Sequence, residues 1–236
     1  PEQISDFISF FNSQKAKSSK DKSEILQLHL GIAIDGDGDR AIFVDHQGNI
    51  LDGDDILFLL ATNNMKSTRK VVGTLMTNYG IREAYEDAGI DFIETDVGDI
   101  NVANKIRECD CSFGGESSGH IIFNDFKDFF YGDSMITLIN VIKLVVDSKK
   151  SLFELNQHIN KIPSELINIK INDKSTFLSN EKNVTIISYI QKQIGSNGRL
   201  LVRPSGTENI VRFLIEHRET REISVLKSYL YDNIET

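Results

Sequence analysis

Between residues 71 and 97 three stretches follow one another, VVGTLM, IREAYEDAG and DFIETDV, and their apolar spacing passes from strand-like to helical and back. Strand, helix and strand in that order, with Gly89 closing the helix, restrict the chain to layers of helix packed on sheet. Upstream, LGIAI and AIFVD are short apolar runs on either side of a glycine-rich loop, which predicts strand, loop, strand, with a turn at HQGN (46–49). From Asp54, DDILFLLATNNM predicts a helix that follows an Asp suited to cap it. GDSMITLINVIKLVVDSKK predicts a long helix that is apolar over much of its surface and therefore well buried. Residues 4–11 (ISDFISFF) have the spacing of a short amphipathic helix, and the lysine- and serine-rich segment 12–24 reads as an exposed loop.

After about residue 160 the rhythm changes. LINIKI, GRLLVRP and IVRFLIEH read as strands, and VTIISYIQKQI and REISVLKSYLYDNI as helices, the pattern of a small α+β domain. Pro163 interrupts the run between the two patterns and marks the boundary. The fold class is α/β: a layered domain with a mixed sheet, followed by a small α+β domain.

Charge and composition narrow the function. The net charge of -9 argues against nucleic acid or an anionic membrane as a partner, since both reward a basic surface. A small anionic substrate stays open wherever basic residues gather locally. The greasiest stretch, Met135 to Val146, is interrupted by Asn140 and Lys143 and falls short of the roughly 20 apolar residues of a membrane span. Cys109 and Cys111 provide neither a disulfide framework nor a zinc site, and two reduced thiols in a cytoplasmic protein are expected.

Three loops carry chemistry. DGDGDR (35–40) alternates Asp35, Asp37 and Asp39 with glycines and closes on Arg40. Extended, alternate residues would stand about 7 Å apart, so three carboxylates reach one cation only if the backbone curls, which Gly36 and Gly38 permit. Three carboxylates this close repel unless a divalent ion such as Mg²⁺ joins them. An EF-hand requires Gly at the sixth loop position and Glu at the twelfth, where this chain has Arg40 and His46. In GGESSGH (114–120), paired glycines let backbone approach a ligand, while Glu116, Ser117, Ser118 and His120 bring donors and acceptors suited to sugar hydroxyls. In RPSGTE (203–208), Arg203 can fork onto a phosphate, Ser205 and Thr207 offer hydroxyls, and Gly206 frees backbone N–H groups, with Arg212 close behind in sequence.

With the three loops in this order, the chain resembles the α-D-phosphohexomutase superfamily along its whole length. DGDGDR looks like the family's metal loop, GGESSGH its sugar-recognition loop and RPSGTE its phosphate-binding loop. Gly38 and the GGE-x-SGHII context look most like the bacterial phosphoglucosamine mutase branch, with the phosphomannomutase/phosphoglucomutase branch as the alternative. The resemblance implies Mg²⁺ on Asp35, Asp37 and Asp39, and Arg40 beside the phosphoryl group in flight. It implies sugar hydroxyls on Glu116 and Ser118, His120 as a proton-transfer partner, and the non-reacting phosphate on Arg203, Ser205, Gly206, Thr207 and Arg212. The family reaction moves a phosphoryl group from a phosphoserine to the sugar and back through a sugar bisphosphate, glucosamine 6-phosphate and glucosamine 1-phosphate being the exchanged pair in that branch.

The same resemblance divides the chain into residues 1–48, the end of a second domain carrying the metal loop, 49–160, a third domain, and 161–236, a fourth. The family's serine motif, of the form T-A-S-H-N-P, is absent from these residues, so the chain is expected to be a portion inactive alone, partnered by the missing N-terminal domains. A non-catalytic sugar-phosphate-binding remnant is the reading from outside enzymology, and a homodimer of the full-length protein is compatible with the family. Ile100 stands where the family usually has Arg or Lys, which puts one phosphate contact in question.

Overall fold

In the computed structural model, residue 10 and residues 29–63, 69–126, 129–206 and 208–235 are described. The helix and loop expected at 4–11 and 12–24 lie outside them, apart from Phe10, which is helical. The chain divides into two compact units, one of residues 1–77 with 81–160, the other of 78–80 with 161–236.

The first unit opens with strands β1 (Leu30–Ile34), β2 (Ala41–Asp45) and β3 (Ile50–Leu51), an antiparallel sheet in the order β1-β2-β3. Asp45 is fully buried, and its carboxylate is satisfied by the turn that follows. Its Oδ1 accepts from Gln47 N (2.8 Å) and Asn49 N (3.0 Å), and its Oδ2 from Asn49 Nδ2 (2.8 Å), the local bonding that makes Asp a turn former. Helix α1 (Gly53–Asn63) comes next, capped by the preceding Asp52. Asp52 Oδ1 accepts from the Asp54 and Asp55 amides at 2.9 and 3.4 Å, while Asp54 is itself helical and buried in the first turn.

Strand β4 (Lys70–Thr74), helix α2 (Tyr79–Asp87) and strand β5 (Asp91–Thr95) form the expected strand–helix–strand unit, with Leu75 and Met76 in the turn rather than the strand. Helix α3 (Asp99–Cys109), strands β6 (Phe113–Gly115), β7 (Ile121–Phe126) and β8 (Phe129–Gly132), and helices α4 (Ser134–Ser148) and α5 (Leu152–Asn156) complete the unit. Its second sheet is mixed, in the order β5-β4-β6-β7-β8: β4 runs parallel to β5 and β6, and the β6–β7 and β7–β8 pairs are antiparallel. One core spans both sheets, with Phe43 and Leu51 packed among Ile56, Leu57, Phe113, Ile121 and Val141.

Helix α4 corrects one expectation. It buries a single stripe, Ser134, Thr137, Val141 and Leu144, against the core side, while Met135, Ile139, Ile142 and Val146 are exposed. A helix buries only the faces that a neighbour covers, and α4 packs on α1 along one side. No helix among the described residues is long and apolar enough to cross a membrane. Cys109 and Cys111 are free thiols, and burial raises the Cys111 thiol to about 11.

The second unit contains β9 (Ser164–Lys170), α6 (Lys174–Phe177), α7 (Glu181–Ile194), β10 (Gly198–Pro204), β11 (Ile210–His217) and α8 (Thr220–Asn233). Its antiparallel sheet runs β10-β11-β9, with β11 central. Val211, Phe213 and Ile215 alternate inward along β11 onto Ile186 and Ile190 of α7 and Leu226 and Leu230 of α8. The intervening residue Arg212 faces away from that core and is exposed, as the two-residue period of a strand requires.

Candidate active site

In the first unit the aspartate loop and the GGESSGH loop are joined by backbone. Ala41 N–H donates to the Gly119 carbonyl (3.1 Å), Gly53 N–H to that of Ser117 (3.1 Å), and Arg40 and His120 form an isolated β-bridge. Gly119 has φ +92°, and a Cβ there would overlap the Ala41 carbonyl oxygen. Only glycine allows this approach.

Within DGDGDR the curl is narrower than its two glycines suggest. Gly38 has φ +76°, but Gly36 lies outside the positive-φ range and has open space around its Cβ position. The turn is closed by Asp35: its Oδ1 accepts from Gly38 N (3.1 Å) and Arg40 N (3.3 Å), and its Oδ2 accepts from Arg40 Nε (2.7 Å). Burial opposes the charge on Asp35, but the Arg40 amide and guanidinium and the Asp39 side chain outweigh it, so its carboxyl titrates below the ordinary value. The same pair raises Arg40. Asp39 Oδ2 stands 3.5 Å from His120 Nδ1, while its Oδ1 is buried without a hydrogen-bond partner among the described residues. Asp37 is exposed.

A carboxyl lowered by its partners holds its charge, and its stabilising contribution, above the ordinary carboxylate pKa and loses both as pH falls through the depressed value. Side-chain carbonyl NMR should therefore give Asp35 a midpoint below 3.8. In Arg40→Met it should return toward that value, and an unshifted wild-type midpoint would contradict the pairing.

The donor set suits magnesium: carboxylate oxygens are its preferred ligands, and Asp39 Oδ1, buried without a hydrogen bond and 3.8 Å from Arg40 Nε, has acceptor capacity to spare. The three aspartates are nevertheless not gathered. Among the described residues no three His, Cys, Asp or Glu side chains group closely enough to hold a metal ion. The physical reason is that Asp35 is turned onto Arg40, and Asp37 points to solvent.

Glu116 is half-buried, and its Oε1 accepts the Gly98 amide (2.9 Å) just ahead of α3. This bond sets the GGESSGH loop against the α3 N-terminus, a connection that no local pattern marks. Ser118 is exposed, and so is Ile100 in the first turn of α3, 70% accessible.

In the second unit Arg203 and Arg212 are direct partners across β10 and β11. Like charges opposite one another on antiparallel strands repel, so the pair is a local positive site in an acidic protein. Beyond it the loop is held by Ser205 N–H to the Ile210 carbonyl (2.9 Å) and Glu208 N–H to Ser205 Oγ (3.3 Å). Ser205 is buried and Gly206 exposed; Arg212 Nη2 lies 3.5 Å from Glu208 Oε2, and Thr207 lies outside the described residues. The structure thus brings Asp35, Asp39, Arg40, Glu116 and His120 into one connected set, and Arg203, Ser205 and Arg212 into another.

Residues 52–162 match the model of phosphoglucomutase/phosphomannomutase α/β/α domain III, and residues 166–232 match the C-terminal domain of the same enzymes. The chain belongs to the phosphohexomutase superfamily. Curated relatives include the phosphoglucosamine mutases of Natranaerobius thermophilus, 41% identical over 198 residues, and of Limosilactobacillus reuteri, 41% over 191. These alignments cover 81% and 79% of this chain but 44% and 42% of the relatives, so the chain spans less than half the length of these two relatives.

Among solved structures, Aspergillus fumigatus N-acetylphosphoglucosamine mutase in complex with GlcNAc-6P and magnesium shares the fold with a TM-score of 0.71 at 18% identity, over 89% of this chain and 53% of that one. An N-acetylglucosamine-phosphate mutase in its product complex gives a TM-score of 0.71 at 22% identity, over 87% of this chain and 49% of that one. At such identities the likeness is one of fold. In this phosphohexomutase chain the GGESSGH and RPSGTE loops fall inside the two matched stretches, whereas DGDGDR precedes them.

Proposed function

We propose that this chain is the metal-, sugar- and phosphate-binding portion of a phosphoglucosamine mutase, which interconverts glucosamine 6-phosphate and glucosamine 1-phosphate through a phosphoserine and a sugar bisphosphate. The observation that carries the proposal is the stitching of DGDGDR to GGESSGH, which sets the residues for phosphoryl transfer beside those for sugar hydroxyls. The choice of glucosamine rests on relatives of that name at about 40% identity.

In this reading Asp35, Asp37 and Asp39 hold magnesium, which when bound neutralises charge on the phosphoryl group in transfer. Arg40, exposed at the end of the same loop, would offer its guanidinium to the phosphoryl oxygens. Glu116, fixed by the Gly98 amide through Oε1, keeps its other oxygen for a sugar hydroxyl, and Ser118 adds a donor. His120, oriented by Asp39, holds or passes a proton at the sugar oxygen. Arg203, Arg212, Ser205, Gly206 and Thr207 take the phosphate that does not react, and the Arg203–Arg212 repulsion is relieved when an anion sits between them. Residues 1–48 are the close of the preceding domain, and the serine donor belongs to a phosphohexomutase portion outside these residues. Magnesium dependence and a cytoplasmic location belong to the same proposal.

The test joins this chain to the part of the N. thermophilus phosphoglucosamine mutase that this chain does not cover. Glucosamine 6-phosphate should then be converted, while the 236 residues alone give no turnover. Asp37→Asn should lower kcat by at least a hundredfold, roughly the 3 kcal/mol attached to one strong electrostatic contact in a transition state. Turnover by the 236-residue chain alone, or full activity in Asp37→Asn, would overturn the assignment.

A further inference from the structure

We propose that the turn Gly132–Asp133–Ser134, which lies outside all three loops, is a positioning element of the site. It fixes the curl of the aspartate loop through Ser134 and the imidazole of His120 through Gly132.

Ser134 is buried, 1% exposed, at the start of α4. Both of its donors reach one acceptor in the middle of the aspartate loop: its backbone N–H (3.1 Å) and its Oγ–H (2.8 Å) donate to the Gly38 carbonyl. Gly38 is the one residue of that loop in the positive-φ region, so this carbonyl's direction records whether the curl is made. Two donors on it hold the peptide in the orientation that places the Asp39 carboxylate beside His120. The preceding residue completes the geometry. Asp133 caps α4, with Oδ1 accepting from Met135 N (2.7 Å) and Ile136 N (3.2 Å), so Ser134 is presented from a fixed helix end.

Gly132 acts on the other side of the same pair. A Cβ at this position would overlap Nε2 and Cδ2 of His120. The imidazole therefore stands against the Gly132 backbone with Nε2 and Cδ2 nearest, and its Nδ1 faces Asp39 Oδ2 at 3.5 Å. One short turn thus sets the metal loop and the proton-carrying side chain together, Ser134 acting through Gly38 and Gly132 through His120. Both are positioning residues.

The metal arm of the test rests on the function proposed above; the exchange arm does not. Ser134→Ala removes one of the two donors, a neutral hydrogen bond whose loss corresponds to about a two- to tenfold change. In the 236-residue protein, hydrogen exchange of the Gly38 and Arg40 amides should accelerate by about that factor, and Mn²⁺ affinity, followed by EPR, should fall by the same factor. Ser134→Thr, which keeps the hydroxyl, should restore both. Gly132→Ala should move the His120 ring resonances and leave Gly38 exchange within a factor of two. If Ser134→Ala leaves the exchange of both amides unchanged, or Gly132→Ala leaves the His120 resonances unmoved, the positioning role is wrong. If wild type binds no Mn²⁺ while Ser134→Ala still speeds exchange, the turn keeps its role and the metal assignment falls.

Discussion

Gly119→Ala is expected to destabilise the first unit by about 3–5 kcal/mol, combining a non-glycine φ of +92° with a backbone overlap. In a chain of this length that corresponds to a fall in Tm of roughly 10 °C, at about 2–4 °C per kcal/mol. The cause is specific. The new Cβ would occupy the position of the Ala41 carbonyl oxygen, so either the GGESSGH loop or the strand after DGDGDR must move. Because Ala41 N–H also donates to the Gly119 carbonyl, the movement costs the bond that joins the loops. Gly36→Ala is the control: with no positive φ and open space at Cβ, it should change stability by no more than about 0.5 kcal/mol. Differential scanning calorimetry of both variants decides it, and a Gly119→Ala protein that melts within 2 °C of wild type would show that the loops are not packed as described.

Arg203→Ala is expected to weaken glucosamine 6-phosphate binding about 10- to 100-fold, the range of a charge-assisted hydrogen bond to phosphate. Its effect on stability should be small or favourable, since it removes one of two like charges paired directly across β10 and β11. This split distinguishes a ligand-binding arginine from a structural one, whose loss lowers Tm. Isothermal titration and a thermal melt on the same preparation give both numbers. Unchanged affinity, or a Tm lowered by 5 °C or more, would remove Arg203 from the cradle.

What the sequence disclosed follows the range of the interactions involved. The strands around DGDGDR, the β4–α2–β5 unit and the β10 and β11 runs are written in local apolar patterns, and they stand where those patterns put them. Helix α3 was not read, because DINVANKIREC buries only Val102 and Ile106 and so carries a weak apolar period. The burial of α4 was overestimated because an apolar residue reports what could be covered, and not what is.

The site shows the same division. Each loop was legible from its own residues, but the links between them span long separations. Ser134 reaches Gly38 across 96 residues and Glu116 reaches Gly98 across 18, and neither partner marks the other in sequence. Asp35, Asp37 and Asp39 stand apart in the structure for an electrostatic reason. Arg40, read as a partner for phosphate, satisfies Asp35 within the loop itself.

The most direct test of the account is a titration of the ¹⁵N-labelled 236-residue protein with glucosamine 6-phosphate. The account predicts that the amides of Arg203, Ser205, Gly206 and Arg212 shift along one binding curve, and that Arg203→Ala weakens that curve. Shifts confined to other residues, or none at millimolar ligand, would contradict it.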